Sequence, residues 1–261
     1  MSFQTIGYDV SHRGIATVTL QRPERGNAFN ATMLEELSGR LEAFAADGDL
    51  RVLVLRGAGR HFCVGADISP PDTAKEQGKA PAGVKLIDLL IRLDSLPKPT
   101  VAIVQGGCVG GGLGIAACCD TVLADQAAFF SIPEARLGFR ASALLPIFVR
   151  AIGYRQFRRY GISGERFSAS DALRMGLVHQ VCDTLTLEEI LSGLLDALLH
   201  AAPGSIMDFK SAATQYVVPK LSELPLAELE ERFVASRGSK EALEGLASFR
   251  EKRKPSWYRS P

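Results

Sequence analysis

The sequence lacks several features that would narrow its function at once. Net charge is nearly absent: 30 Lys plus Arg against 29 Asp plus Glu leave a formal +1 over 261 residues. A general nucleic-acid binder needs a strong basic excess, so the balance argues against that class. No apolar run approaches the roughly 18 residues of a membrane-spanning helix. The opening Met1-Ser2-Phe3-Gln4-Thr5 has neither the basic nor the apolar stretch of a secretory leader. Cysteines number five, none in a C-x-x-C pair, with Cys118 and Cys119 adjacent. That usage fits reduced thiols in a cytoplasmic protein better than a disulfide framework.

Catalytic signatures are missing as well. No Lys follows the glycines at 110–114, so the phosphate-binding pattern G-x-x-x-x-G-K-S/T fails. Gly161-Ile162-Ser163-Gly164-Glu165 has the wrong spacing for a serine nucleophile elbow. His61 and Cys63 stand without two further ligands nearby, and His12, His179 and His200 show no ligand spacing. No metal and no redox cofactor is therefore expected.

What the chain does have is a core and a pattern. Hydrophobic residues make up 46% and charged residues 23%. A chain of this length buries roughly 70–75% of its unfolded surface and needs no disulfides to fold. Ile15 to Leu20 reads as a strand, closed by Gln21-Arg22-Pro23. Asn30 is a candidate N-cap for a helix with Met33, Leu34, Leu37, Leu41 and Phe44 on one face. Val52 to Leu55 reads as a buried strand, and a helix is expected over about 84–94. Thr100 to Val104, Thr121 to Ala124 and Phe129 to Ser131 are further strands; a glycine-rich turn and a helix over about 111–118 follow the first of them. Residues 69–83, rich in Pro, Gly, Lys and Asp, read as a loop.

Strand and helix thus alternate with short connections, which argues an α/β core with largely parallel strands. After residue 140 helices dominate, over about 143–151, 154–160, 170–175, 186–201, 203–218, 222–236 and 239–250. Ser168-Ala169-Ser170-Asp171 resembles a capping box.

Three segments could carry chemistry. Gly106 to Gly114 joins a strand to a helix, and clustered glycines let backbone N–H groups meet a ligand closely. A tight turn with close helix packing is the plain alternative. Gly112-x-Gly114-x-x-Ala117 also fits a loose dinucleotide fingerprint. The acid that should accompany it, Glu134, follows Pro133, which suits a central parallel strand poorly. The second segment, His61 to Ile68, follows a buried strand. The third, Phe129 to Gly138, sets Glu134 between Pro133 and apolar residues, where a carboxyl group can gain a raised pKa and act as general acid or base. A surface Glu opening a helix is the alternative.

Together, in order, these pieces resemble the crotonase superfamily, also called the enoyl-CoA hydratase/isomerase family. The resemblance runs from Leu20-Gln21-Arg22-Pro23-x-x-x-Asn27-Ala28 through His61-Phe62-Cys63-x-Gly65-Ala66-Asp67-Ile68, Gly106 to Asp120 and Pro133-Glu134-x-x-Leu137-Gly138. It closes on Gly164 to Val178 and on Phe249-x-Glu251-Lys252-Arg253-Lys254-Pro255-x-Trp257. It implies an α/β fold: a ββα spiral core over 1–200 and a C-terminal helical trimerisation region over 201–261.

The resemblance also implies roles. The N–H groups of Ala66 and Gly111 would form an oxyanion hole for a thioester carbonyl, and Glu134 would be the catalytic carboxyl group. Arg25, Ala28, Ala66, Asp67 and Ile68 would line the coenzyme A path. Phe249 and Lys252 match positions that often reach the nucleotide end of coenzyme A from a neighbouring subunit. The partners implied are an acyl-CoA substrate and further copies of the chain, as a trimer or dimer of trimers. Hydratases of the family commonly carry a second Glu where this chain has Gly114, twenty positions before Glu134. Hydration by Glu134 alone, isomerisation by one carboxylate and acyl-CoA binding without catalysis all stay open. Gly110 to Ile115, Val149 to Gly153 and the Lys252 to Trp257 ending look most like bacterial methylglutaconyl-CoA and isohexenylglutaconyl-CoA hydratases, which favours hydration of a branched or carboxylated enoyl-CoA. Phe139-Arg140-Ala141-Ser142 departs from the usual pattern, so Arg140 is a candidate partner for an acyl carboxylate, or for an interface salt bridge, and Ser142 a candidate for holding water.

Overall fold

Alternation within each strand decides how the main sheet is covered. In the computed structural model, which describes residues 3–68, 85–140, 143–216 and 223–258, the chain forms nine strands and nine α-helices among those residues. Strands β1 (Ile6–Val10), β2 (Ile15–Leu20), β3 (Val52–Gly57), β4 (Thr100–Val104), β6 (Thr121–Asp125) and β9 (Gln180–Cys182) form a sheet in the order β1-β2-β3-β4-β6-β9. Only β1 runs antiparallel to its neighbour. Ala16, Val18, Leu20, Leu53, Leu55, Ala102, Val104, Val122 and Ala124 point into the larger core. Their alternates Ile15, Val52, Val54, Val101, Ile103 and Leu123 pack against Leu187, Leu191 and Leu195 of helix α6 (Leu187–His200). The strands are apolar on both faces because both faces are covered.

Helices α1 (Ala31–Ala46), α2 (Leu86–Asp94) and α3 (Gly111–Ala117) feed the larger core. Asn30 caps α1, its Oδ1 accepting from Met33 N–H at 3.0 Å. Ser168 and Asp171 form the capping box of α5 (Ala169–Met175). The expected pair of helices over 143–160 is one stretch, α4 (Leu145–Ser163), broken at Gly153 with φ +75°. Beyond α6 come α7 (Pro203–Tyr216), α8 (Leu226–Ser236) and α9 (Lys240–Arg250). Among the described residues no single helix is long and apolar enough to cross a membrane.

The expected glycine-rich turn after β4 is partly strand. β5 (Gly107–Val109) pairs in parallel with β7 (Phe129–Ser131), and β8 (Phe167–Ser168) completes a second, three-stranded sheet. Three residues dominated by glycine and cysteine carry little β-propensity, so β5 exists through its neighbours. β1, β8 and β9 were likewise not expected from the pattern.

Candidate active site

The second sheet places the three candidate segments side by side. Gly107, Cys108 and Val109 pair with Phe129, Phe130 and Ser131, and Gly110 N–H donates to Ser131 O at 3.0 Å. Cys63 bridges Cys108, again in parallel, and Ala66 bridges Phe29. Four stretches of chain therefore leave in one direction, and their C-terminal ends carry Phe29, Ala66, Gly111 and Glu134. Ligand sites of α/β proteins gather at such carboxyl ends.

Backbone pairing aims the Ala66 N–H. Phe29 N–H donates to Gly65 O at 2.9 Å, and Asp67 N–H donates to Phe29 O at 2.9 Å. The Gly65 carbonyl and the Ala66 N–H share one trans peptide, so with the carbonyl held by Phe29 the N–H points the other way, towards the Val109–Gly111 side. Gly65 fits there because a Cβ would stand 3.2 Å from Val109 O. Gly111 opens α3, where the first N–H groups have no partner within the helix. A Cβ at Gly111 would lie 2.6 Å from Phe29 Cε1 and 2.7 Å from Leu86 Cδ2, and one at Gly112 would lie 2.3 Å from Cys63 O. Only glycine lets α3 come this close. Ala66 is exposed and Gly111 is buried.

Glu134 closes the other side. It begins the 3-10 turn Glu134–Leu137 directly after Pro133, which ends β7's extended run. Its Oε1 lies 3.1 Å from where a Gly110 Cβ would be, so the carboxyl group sits over the peptide that leads into Gly111. As a residue Glu134 is half-buried, yet its Oε2 is sealed from water and has no hydrogen-bond partner. Burial disfavours the charged form and pushes the pKa up to about 7, against a small opposing pull from its own backbone N–H. Two N–H donors beside a carboxyl group that titrates near neutrality can stabilise negative charge on a carbonyl oxygen while a proton moves at the adjacent carbon.

A family profile described as Enoyl-CoA hydratase/isomerase matches residues 11–260. The chain belongs to the enoyl-CoA hydratase/isomerase family. It is 31% identical over 250 residues to the mevalonyl-coenzyme A hydratase of Aspergillus fumigatus, covering 93% of this chain and 91% of that protein. It is 28% identical over 263 residues to the trans-2-decenoyl-[acyl-carrier-protein] isomerase of Streptococcus mutans, covering 98% and 99%. The crystal structure of an enoyl-CoA hydratase from Mycobacterium avium superposes with a TM-score of 0.84 at 26% identity, covering 97% of this chain and 99% of that one. The crotonase fold follows from these matches together with the sheet just described.

Within this family member, the position of the second carboxylate is apolar. A Cβ at Gly114 would meet Leu90 Cδ1 at 3.3 Å and Leu144 Cδ2 at 3.4 Å. Arg25 lies in the short 3-10 helix Pro23–Arg25 and Ala28 is buried just after it, on the stretch that pairs with Ala66 and Asp67. Ile68 ends that stretch, and its carbonyl accepts from Arg250 Nη2 at 2.9 Å. Phe249 lies near the end of α9 and Lys252 follows it, and the body of α9 packs on its own chain. A Cβ on Gly245 would stand 2.5 Å from Leu137 O, and one on Gly138 would stand 2.4 Å from Glu241 O, so the helix rests directly on the Glu134 turn. Phe249 is 62% exposed, and Lys252, also exposed, has φ +53°. Arg140 is exposed, with its backbone N–H donating to Ser236 Oγ at 3.2 Å; Ser142 lies outside the described residues. Arg250 and the wall of Leu86, Leu90 and Leu144 escaped the sequence reading. Nothing in their spacing distinguishes them from a surface cation and ordinary core leucines.

Proposed function

We propose that the protein is an enoyl-CoA hydratase that adds water across the α,β double bond of a branched or carboxylated enoyl-CoA. The observation that carries the reading is Glu134: a carboxyl group with a pKa near 7 and an unpartnered oxygen, next to Gly110 at the entry to α3. The thioester oxygen sits on the Ala66 and Gly111 N–H groups, which stabilise the enolate charge that builds on it. Losing one such donor costs roughly 2.7–4 kcal/mol. Glu134, ionised, takes a proton from water as it attacks the β carbon, then returns it to the α carbon. Coenzyme A belongs to the substrate, and no further cofactor is invoked. Arg25, Ala28, Asp67, Ile68, Phe249 and Lys252 line its path.

The relative named for a mevalonyl thioester and the likeness of Gly110 to Ile115 to methylglutaconyl-CoA hydratases support the acyl class. In this reading Arg140 meets an acyl carboxylate, and the protein works in the cytoplasm as a trimer or dimer of trimers. The experiment is incubation with straight, branched and carboxylated enoyl-CoAs followed by mass spectrometry. A gain of one water with a branched or carboxylated member supports hydration; an unchanged mass with a moved double bond replaces it by isomerisation. Equal affinity of Arg140→Ala for carboxylated and neutral substrates removes Arg140 from the site.

Isomerisation is the second reading, favoured by the leucines around Gly114. A single carboxyl group in dry surroundings can carry a proton between two carbons of one acyl chain without a water to hold.

A further inference from the structure

Arg22 lies on the turn that precedes the Phe29 stretch bridged to Ala66. Its Nη2 donates to Asp67 Oδ2 at 2.8 Å and its Nη1 donates to Ala28 O at 2.6 Å. The two side chains of the ion pair are 13% and 17% exposed. Ala28 and Asp67 are not arbitrary partners. Each adjoins one end of the bridge in which Phe29 N–H holds Gly65 O and Phe29 O accepts from Asp67 N–H. The peptide between Gly65 and Ala66 is thus held by Phe29, and Arg22 clamps the two stretches of chain on which that hold depends.

Arg22 is itself fixed. Its backbone N–H donates to Asn27 Oδ1 at 2.9 Å, and its carbonyl accepts from Asn27 N–H at 2.8 Å. Asn27 is 0% exposed, adopts φ +56°, and donates through Nδ2 to Ala58 O at 2.8 Å and to His61 O at 2.7 Å. The left-handed backbone at a buried Asn costs energy that its four hydrogen bonds offset. The result ties the Arg22 turn to the loop that enters the Ala66 segment.

We propose that Arg22 is a positioning residue for the oxyanion site: its guanidinium locks Ala28 to Asp67 and thereby sets the direction of the Ala66 N–H. Two forked donors at fixed separation are needed, one for a carboxylate and one for a carbonyl. A lysine supplies a single point of charge and cannot span both. The inference rests on the proposed role of Ala66, and it predicts a loss felt by the carbonyl of a bound thioester rather than by binding as such.

The test uses the full chain and a conjugated arylacryloyl-CoA, whose absorption moves to longer wavelength when donors polarise the thioester carbonyl. The wild type gives the shift on binding. Arg22→Lys is expected to lose most of it, and to lower kcat on hydrated enoyl-CoAs on the order of ten- to a hundredfold with KM little changed, the scale of a small misplacement of a catalytic group. Arg56→Gln, which breaks an exposed ion pair with Glu188, keeps the full shift and separates general destabilisation from positioning. Should Arg22→Lys fail to fold, the isosteric Asp67→Asn carries the same test. A full spectral shift in the folded variant overturns the proposal, whatever its turnover. A wild type that shows the shift, loses it with Arg22→Lys and yet turns over no enoyl-CoA defeats the hydratase reading and leaves the clamp standing. A wild type with no shift defeats the Ala66 assignment and the clamp with it.

Discussion

The two sides of the candidate site are held in opposite ways. On the side of the proposed oxyanion donors polar groups are partnered at almost every step. Phe29 holds Gly65 and Asp67, Cys63 holds the β5 strand, and Arg22 joins Ala28 to Asp67. On the acid side Glu134 Oε2 is sealed and unpartnered, and the space beside Gly114 is filled by Leu90 and Leu144. The difference matches what the proposed chemistry asks of each side. Backbone donors are useful only if they cannot turn away from a developing charge, so rigidity is the asset. A proton carrier is useful only if its two protonation states lie close in energy, so it must be denied the partners that would fix its charge.

The largest effect that could break this comparison is at Glu134. Glu134→Gln keeps the shape and removes the proton, and turnover should fall on the order of a hundred- to ten-thousandfold. Binding of a saturated acyl-CoA, measured by calorimetry, should change little; unchanged turnover would remove Glu134 from the chemistry. Next comes Gly111→Ala. Its Cβ would stand 2.6 Å from Phe29 and 2.7 Å from Leu86, so the N–H must move, and kcat should fall by about a hundredfold, the scale of losing one oxyanion donor.

Smaller effects sharpen the contrast. A carboxyl group whose pKa is raised to about 7 by burial stabilises the fold below its unfolded pKa and loses that contribution as pH rises through 7. Thermal denaturation should therefore show Glu134→Gln gaining on the wild type between pH 5 and pH 8, because Gln has no proton to lose. A constant difference would mean that Glu134 is not held in its neutral form. Gly114→Glu should lower stability by about 1–3 kcal/mol, since the new carboxyl group meets leucine methyls instead of a partner. A gain in both stability and hydration rate would show that the leucines yield readily and that the site is built for two acids.

The α/β plan was legible because parallel strands covered on both faces write themselves as short apolar runs, as in Val52 to Leu55 and Thr100 to Val104. The break at Gly153 and the caps at Asn30 and Ser168 were legible from local chemistry. β5 was not, because a Gly-Cys-Val strand is made by its partners and not by its own propensity. At the site, Glu134 stood out as a carboxyl group set among apolar residues, while the roles of Ala66 and Gly111 could be named only through resemblance. No spacing says that positions 66, 111 and 134 meet, since that depends on three parallel stretches ending together. The tail was legible as helix and no further, for a related reason. Amphipathic helices show that they will be covered but not by which copy of the chain, and α9 rests on its own Glu134 turn through Gly138 and Gly245.

The central claim, one carboxyl group with a sealed, unpartnered oxygen working against a rigid donor pair, is tested most directly by the pH dependence of kcat/KM on an enoyl-CoA that the protein hydrates. With Glu134 acting first as a base, the ionised form is the active one. The rate should be low in acid, rise with a single ionisation near pH 7 and level off above it, and the residual rate of Glu134→Gln should show no such step. A wild-type profile flat from pH 5 to pH 8, or the same step surviving in Glu134→Gln, would contradict it.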